Sequence, residues 1–235
     1  MEKNIIYNII MNNKMKRFIF QIITKDFNLT EEKRYLRDIV KIAVDSFADV
    51  LQLRNKKITP GNIYRSAVFI KNILSDSYPS RAEKPLLIIN DRPDIAYLSG
   101  ADGVHIGQDD FPAYIVKKLF PGLILGVSVD DLSQALIAEE GGADYIGVGP
   151  VYDTTSKSDA GDLIKRRELK NICNAVNIPV IAIGGINDGN ISGLDSCGIN
   201  GVAVISAISN SEDPLKTACA LKKNIDESLN INKCI

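Results

Sequence analysis

Val180-Ile181-Ala182-Ile183-Gly184-Gly185-Ile186 and Gly201-Val202-Ala203-Val204-Ile205-Ser206 decide the fold. Each is a short, unbroken, β-branched run that stops abruptly, the first at paired glycines and the second at a serine. A strand with one wet face alternates apolar and polar residues, whereas an unbroken run needs cover on both faces, as in a parallel sheet. Runs of the same kind stand at residues 18–24, 50–54, 86–90, 103–107, 123–127 and 145–149, making eight with 180–184 and 201–205. Segments with helical spacing lie between them, among them 31–47, 60–74, 132–140, 167–176 and 214–229. Regular alternation of strand and helix gives a parallel sheet with right-handed crossovers. Eight such units predict a closed (β/α)8 TIM barrel, an α/β fold in a single domain. No G-x-G-x-x-G follows the first run, which argues against an open dinucleotide-binding sheet.

Element boundaries carry their own signals. Thr30, ahead of Glu31 and Glu32, is placed to cap a helix that has acids in its first turn. Thr59 before Pro60 puts proline at the first helical position, and Gly141-Gly142 after Glu140 supplies a stop. No repeat finer than the βα unit and no low-complexity linker stands out. Residues 1–15, with a broken isoleucine-rich stretch and further methionines at Met11 and Met15, read as an extension without order of its own. They lack a small-residue cleavage site and so do not read as a signal peptide. Residues 16–235 are expected to form the barrel.

The 235 residues, 45% hydrophobic and 24% charged, supply ample material for one large core. A net charge of −1 offers no bulk attraction to nucleic acid or to a membrane. No apolar run approaches the roughly 20 residues needed to span a bilayer. The four cysteines lack C-x-x-C spacing, and the single histidine, His105, is remote from them in sequence. Neither a Cys/His zinc site nor a disulfide framework is expected, and free thiols suit a reducing cytoplasm. The expected partners are small phosphorylated molecules; oligomeric state is not legible.

Reactive groups of such barrels lie at the C-terminal ends of strands and in the loops that follow, so polar residues there are the candidates. In Gln52-Leu53-Arg54-Asn55-Lys56, alternation puts Gln52, Arg54 and Lys56 on one side, an amide and two cations suited to a phosphate or diphosphate. A solvated basic turn continued by Lys57 is the plain alternative. In Asn90-Asp91-Arg92-Pro93, Asp91 is a candidate metal ligand and Asn90 a substrate contact, unless both cap the helix that Pro93 begins. Mg²⁺ takes one or two carboxylates beside phosphate oxygens, and Asp91 with Asp109 or Asp110 offers that pair. Capping of a helix near Phe111-Pro112 is the alternative for Asp109 and Asp110. His105, in mid-strand, reads as barrel filling or as a support behind residues of the site, rather than as a general base. Ser128 is either a substrate donor or the N-cap of a helix near Asp130 and Asp131. The long loop after the sixth run offers Thr154, Thr155, Ser156 and Lys157, the last a phosphate partner able to stabilise a departing diphosphate. Gly184 and Gly185 let backbone approach a phosphate without a Cβ in the way, or serve simply as a turn. Ser206 adds a hydroxyl where barrels often bind phosphate.

Taken in order, these stretches resemble the thiamine-phosphate synthase family. The resemblance is carried by Q-x-R-x-K at 52–56, Leu87-Ile88-Ile89-Asn90-Asp91-Arg92 and Gly100-Ala101-Asp102-Gly103-Val104-His105-Ile106-Gly107-Gln108-Asp109-Asp110. It continues in Gly142-Ala143-Asp144-Tyr145-Ile146-Gly147-Val148-Gly149-Pro150, in Thr154-Thr155-Ser156-Lys157, and in the runs ending at Ile186 and Ser206. The glycine motifs alone are common to phosphate-binding barrels, but the ordered set, from about residue 18 to 221, is specific.

The resemblance implies a transferase that joins an aminopyrimidine methyl diphosphate to a thiazole phosphate and releases pyrophosphate. It implies that Gln52, Leu53, Arg54, Asn55, Lys56, Asn90, Ser128 and Lys157 hold the pyrimidine diphosphate, with Arg54, Lys56, Ser128 and Lys157 also serving the chemistry. It assigns Mg²⁺ to Asp91 and Asp110, and the thiazole phosphate to Thr154, Thr155, Ser156, Gly185, Ile205 and Ser206. The chain departs from the family's pattern at Ser156, where a second threonine is usual, and at Asn55, where glutamate is frequent and the side chain should face away. A thiazole tautomerase of the same superfamily is the nearest rival. That isomerase has no use for the cradle formed by Arg54, Lys56, Asn90, Asp91 and Asp110. A non-catalytic phosphate-binding barrel is the rival from another class.

Overall fold

The computed structural model describes residues 19–80, 84–154 and 162–229. The 1–15 extension lies outside them, as do Thr155, Ser156, Lys157 and Cys234. Eight parallel strands close into a barrel in sequence order. They are β1 (Phe20–Ile23), β2 (Val50–Leu53), β3 (Leu86–Asn90), β4 (Gly103–Ile106), β5 (Ile124–Val129), β6 (Tyr145–Val148), β7 (Val180–Ile183) and β8 (Gly201–Val204). The helices between are α1 (Glu32–Asp45), α2 (Pro60–Ser77), α3 (Pro93–Ser99), α4 (Ala113–Leu119), α5 (Leu132–Glu140) and α6 (Arg166–Ala175). The crossover after β7 carries only a 3₁₀ turn, Ile191–Leu194. After β8 a short α7 (Ser206–Ser209) precedes α8 (Pro214–Ser228).

Strand alternation divides the apolar residues into two cores. Leu51, Leu53, Leu87 and Ile89 face outward into the large cluster under the helices. Ile23, Val50, Ile88, Tyr145, Ile181, Ala203 and Ile205 form a smaller cluster inside the ring. Both faces of each strand are therefore buried, which is why the runs are unbroken. Among the described residues no helix is long and apolar enough to cross a membrane, and Cys173, Cys197 and Cys219 are free thiols.

The base of the barrel follows a fourfold rule that the sequence reading overlooked. Phe47-Ala48-Asp49, Gly100-Ala101-Asp102, Gly142-Ala143-Asp144 and Gly198-Ile199-Asn200 each lead into an even-numbered strand. The first residue of each set has positive φ, 55°, 68°, 87° and 84° in turn. The third residue of each accepts an N–H from the preceding strand. Asp49 takes Phe20 N–H (2.9 Å), Asp102 takes Leu87 N–H (2.8 Å), Asp144 takes Leu125 N–H (2.9 Å) and Asn200 takes Val180 N–H (2.8 Å). The left-handed residue turns the chain back toward the sheet, and the side-chain acceptor satisfies a strand-end donor there. Lys117 pairs with Asp144 and Lys71 lies 3.8 Å from Asp102, so two of these carboxylates also meet cations.

Two capping expectations need correction. The residue before α1 is Glu31, in helical conformation and without a side-chain cap, so Thr30 does not hold that position. Before α5 it is Asp131, whose carboxylate accepts Gln134 N–H at 2.8 Å. Ser128 is thereby excluded as the cap and sits inside β5.

Candidate active site

A cavity of about 250 Å³ opens at the C-terminal ends of the strands, lined by residues from β2 through β8 and the loops that follow. Arg54 and Lys56 enter it from β2, placed by two residues from the end of β1. Thr24 Oγ1 donates to the Arg54 carbonyl (2.7 Å) and accepts the Arg54 N–H (2.8 Å), pinning the backbone where the strand ends. Asp26 Oδ1 accepts the Lys56 N–H (2.9 Å) and lies 3.4 Å from Arg54 Nη1. The Arg54 side chain is only 5% exposed, so its charge is kept in a nearly dry setting by a partner rather than by water. Thr24 and Asp26 escaped the sequence reading, although the strand-end filter that found Arg54 would have found them had it been applied to the first strand.

The remaining residues of that stretch are placed differently. Leu53 packs outward beneath the helices. Asn55 is buried, its amide donating to the Phe27 carbonyl (2.8 Å) and its oxygen accepting Lys57 N–H (2.9 Å), so it braces the turn. Gln52 is buried, and alternation aims it inside the barrel below the mouth. None of the three borders the cavity.

Two carboxylates meet on adjacent strand ends. Asp91, just past β3, adopts φ 62°, and its N–H donates to the His105 carbonyl (2.7 Å). Its carboxyl is hydrogen-bonded to that of Asp110, and Asp110 Oδ2 also accepts the Gly107 N–H (2.7 Å). Burial, then the Asp110 charge, push the Asp91 carboxyl up to about 6, against the opposing pull of Lys56 and Arg54. The residue before α3 is Arg92 and that before α4 is Pro112, neither helix having a side-chain cap. Asp91, Asp109 and Asp110 are therefore not spent on capping, and all three border the cavity beside Asn90.

This donor set suits a hard divalent cation. Two carboxylates that share a proton when alone are relieved by an ion between them, and Mg²⁺ characteristically takes one or two protein carboxylates with water and phosphate oxygens. Among the described residues no group of three or more His, Cys, Asp or Glu comes together as a metal cluster.

Inside the ring, the half-buried Ser128 ends a polar string that runs through the buried His105 and Tyr145. His105 Nε2 lies 2.9 Å from Ser128 Oγ, and His105 Nδ1 lies 3.0 Å from the Tyr145 hydroxyl. Gln108 donates to the Ser128 carbonyl at 2.6 Å. The opposite rim is backbone. Gly184 and Gly185 have φ 99° and 64°, and a Cβ at Gly185 would stand 2.4 Å from the Asp153 carbonyl oxygen. The glycines thus serve close packing against the loop after β6 as well as exposure of backbone at the cavity. Val151 N–H donates to Ile183 O (3.0 Å) and Tyr152 N–H to Gly184 O (3.1 Å). Asn190 holds the Gly185 carbonyl (2.9 Å), fixing the orientation of that peptide. Gly185, Ile205, Ser206 and Thr154 all border the cavity, where α7 begins.

The profile of the thiamine monophosphate synthase family matches residues 21–208. A thiamine-phosphate synthase of Clostridium tetani is 44% identical over 187 residues, covering 79% of this chain and 86% of its own. That of Coprothermobacter proteolyticus is 41% identical over 191 residues, covering 81% and 87%. The solved structure of thiamine phosphate pyrophosphorylase from Pyrococcus furiosus superposes with a TM-score of 0.77 at 33% identity, over 92% of this chain and 98% of that one. The match spans the strand ends that build the cavity from β2 to β8, and by it the chain belongs to the thiamine monophosphate synthase family.

Proposed function

We propose that the cavity couples 4-amino-2-methyl-5-hydroxymethylpyrimidine diphosphate to thiazole phosphate, giving thiamine phosphate and pyrophosphate. As a member of its family the protein is a transferase. The observation that supports the substrate reading is one cavity with unlike polar groups on its two sides, which we read as two anion sites. On one side stand Arg54, Lys56, Asn90, Ser128 and the Asp91–Asp110 pair; on the other are Gly185, Ile205 and Ser206. The first suits a diphosphate that gains charge as it leaves, and the second suits a monophosphate that is merely held. An isomerase of a single thiazole phosphate would need only the second.

The reaction calls for charge stabilisation rather than a nucleophilic side chain. As the C–O bond to diphosphate breaks, the electron-rich pyrimidine methylene becomes cationic and negative charge builds on the leaving oxygens. Arg54 and Lys56, oriented through Asp26, meet that charge from the β2 side, and Ser128 adds a hydroxyl. Lys157, on the sequence pattern, brings a further cation from the loop after β6. Asp91 and Asp110 would hold Mg²⁺, which when bound neutralises diphosphate oxygens. The rim after β7 and β8 with Thr154, joined on the sequence pattern by Thr155 and Ser156, fixes the thiazole phosphate so that its ring nitrogen faces the methylene carbon; positioning of this kind lowers the barrier by prepaying entropy. Free thiols at Cys173, Cys197 and Cys219 support a cytoplasmic setting.

The test is a two-substrate assay of the purified protein with and without a chelator. Pyrophosphate release is expected only with both substrates and Mg²⁺ present. Turnover of the thiazole tautomer alone, with no pyrophosphate formed, would instead establish the isomerase reading.

A further inference from the structure

We propose that His105, held by Tyr145, is a positioning residue that fixes the Ser128 hydroxyl as a hydrogen-bond donor toward the diphosphate. The inference rests on the proposed role of Ser128 at the diphosphate. Tyr145 is fully buried inside the ring, and burial pushes its phenol far above the ordinary range, so it stays protonated. A phenol O–H is a good donor and a bare imidazole nitrogen a good acceptor. On this proposal Tyr145 donates to His105 Nδ1 across the 3.0 Å contact, which puts the imidazole proton on Nε2. Nε2–H then donates to Ser128 Oγ at 2.9 Å. With one lone pair engaged there, the Ser128 O–H turns to the cavity that Ser128 borders. A diphosphate presents only acceptors, so a donor is what it requires at that point.

The barrel makes space for this pair at two positions that lack a Cβ. A Cβ at Gly126 would lie 2.4 Å from His105 Nδ1 and 2.2 Å from Tyr145 Cζ; one at Gly147 would lie 3.2 Å from His105 Cε1. The β4–β5 register sets His105 beside Gly126, and the β5–β6 register sets Gly126 beside Tyr145 and Ser128 beside Gly147. A layer filled by hydrocarbon alone would need neither the glycines nor the polar string.

His105 is the only histidine in the chain, so ¹⁵N-histidine labelling gives a single imidazole spectrum from the full-length protein. The expected result at neutral pH is a proton on Nε2 and a bare Nδ1, with Tyr145→Phe moving population toward the other tautomer. A proton on Nδ1 in the unmodified protein overturns the proposal. In kinetics, Tyr145→Phe should lower kcat about tenfold with KM for the diphosphate little changed, and should cost nothing further in a Ser128→Ala background. An equal loss in both backgrounds means packing alone and overturns it. His105→Gln, which keeps an N–H near the Nε2 position, should retain more kcat than His105→Asn; the reverse order counts against the proposal. The tautomer measurement needs no substrate, so a failure of the two-substrate reaction would count against the proposed function, whereas a wrong tautomer would count against the role of His105.

Discussion

Lys56 Nζ stands 3.8 Å from the Asp91 carboxylate, yet that carboxyl is pushed up to about 6. A cation so near lowers a carboxyl's affinity for protons, so burial and the adjoining Asp110 have outweighed it. A divalent cation held there would add the positive charge that favours the ionised form of both carboxylates.

Mg²⁺ binding should therefore release a proton at low pH. The ion needs the ionised carboxylate, so its affinity should climb as pH rises to about 6 and level off above. Calorimetric titration in buffers of different ionisation enthalpy measures both the affinity and the proton count. Asp91→Asn should weaken binding and flatten the profile, and a pH-independent affinity in the unmodified protein would contradict the assignment.

Asp26 is expected to matter as much as residues that touch substrate. Asp26→Ala frees the Arg54 guanidinium and the Lys56 backbone together. A lost charge-assisted contact of this kind should raise KM for the pyrimidine diphosphate about tenfold and lower kcat as well. KM for the thiazole phosphate should change little, since that rim is built by other strands. Steady-state kinetics with each substrate varied in turn separates the two.

Gly185→Ala should damage the monophosphate side and the fold at once. The position needs φ 64°, and the added Cβ would press on the Asp153 carbonyl oxygen at 2.4 Å. Strain of this sort costs about 1–3 kcal/mol, which thermal unfolding will register. KM for thiazole phosphate should rise further than the stability loss explains.

Phe47→Gly should stabilise the protein without touching its chemistry. Phe47 is 75% exposed and holds φ 55° in a place where the three equivalent positions are glycine. Relief of a left-handed non-glycine residue is worth about 1 kcal/mol, a rise in Tm of roughly 2–4 °C for a chain of this size. Activity should be unchanged, because Phe47 lies at the base of the barrel, before β2.

The fold was legible because burial on both faces of a strand leaves an unbroken apolar run: seven observed strands fall within the runs read from sequence, and β5 passes the end of its run by two residues, to Val129. Polar residues directly at strand ends, such as Arg54, Asn90 and Asp91, were legible for the same reason: they interrupt those runs. What escaped is what depends on the neighbouring strand. Asp26 acts through Arg54, and Asn55 looks like a site residue in sequence but turns to the Phe27 carbonyl. His105 gave no sign of its partners, since Tyr145 and Ser128 reach it only through barrel register. The fourfold base pattern was visible in the letters as recurring Ala-Asp pairs. It went unread because one copy begins with phenylalanine and another ends in Ile199-Asn200.

That base pattern separates two jobs that share one chain. The clamps through Asp49, Asp102, Asp144 and Asn200 repeat around the ring, while the candidate groups described at the mouth follow no such repeat. Symmetric fastening at one end and asymmetric reactivity at the other make the scaffold modular. Strand-end residues and loops at the mouth can be exchanged for those of another chemistry while the fastenings beneath them stay as they are. A chimaera carrying a foreign set of mouth loops on this base should keep the closed ring, and with it the frame on which a different substrate could be read.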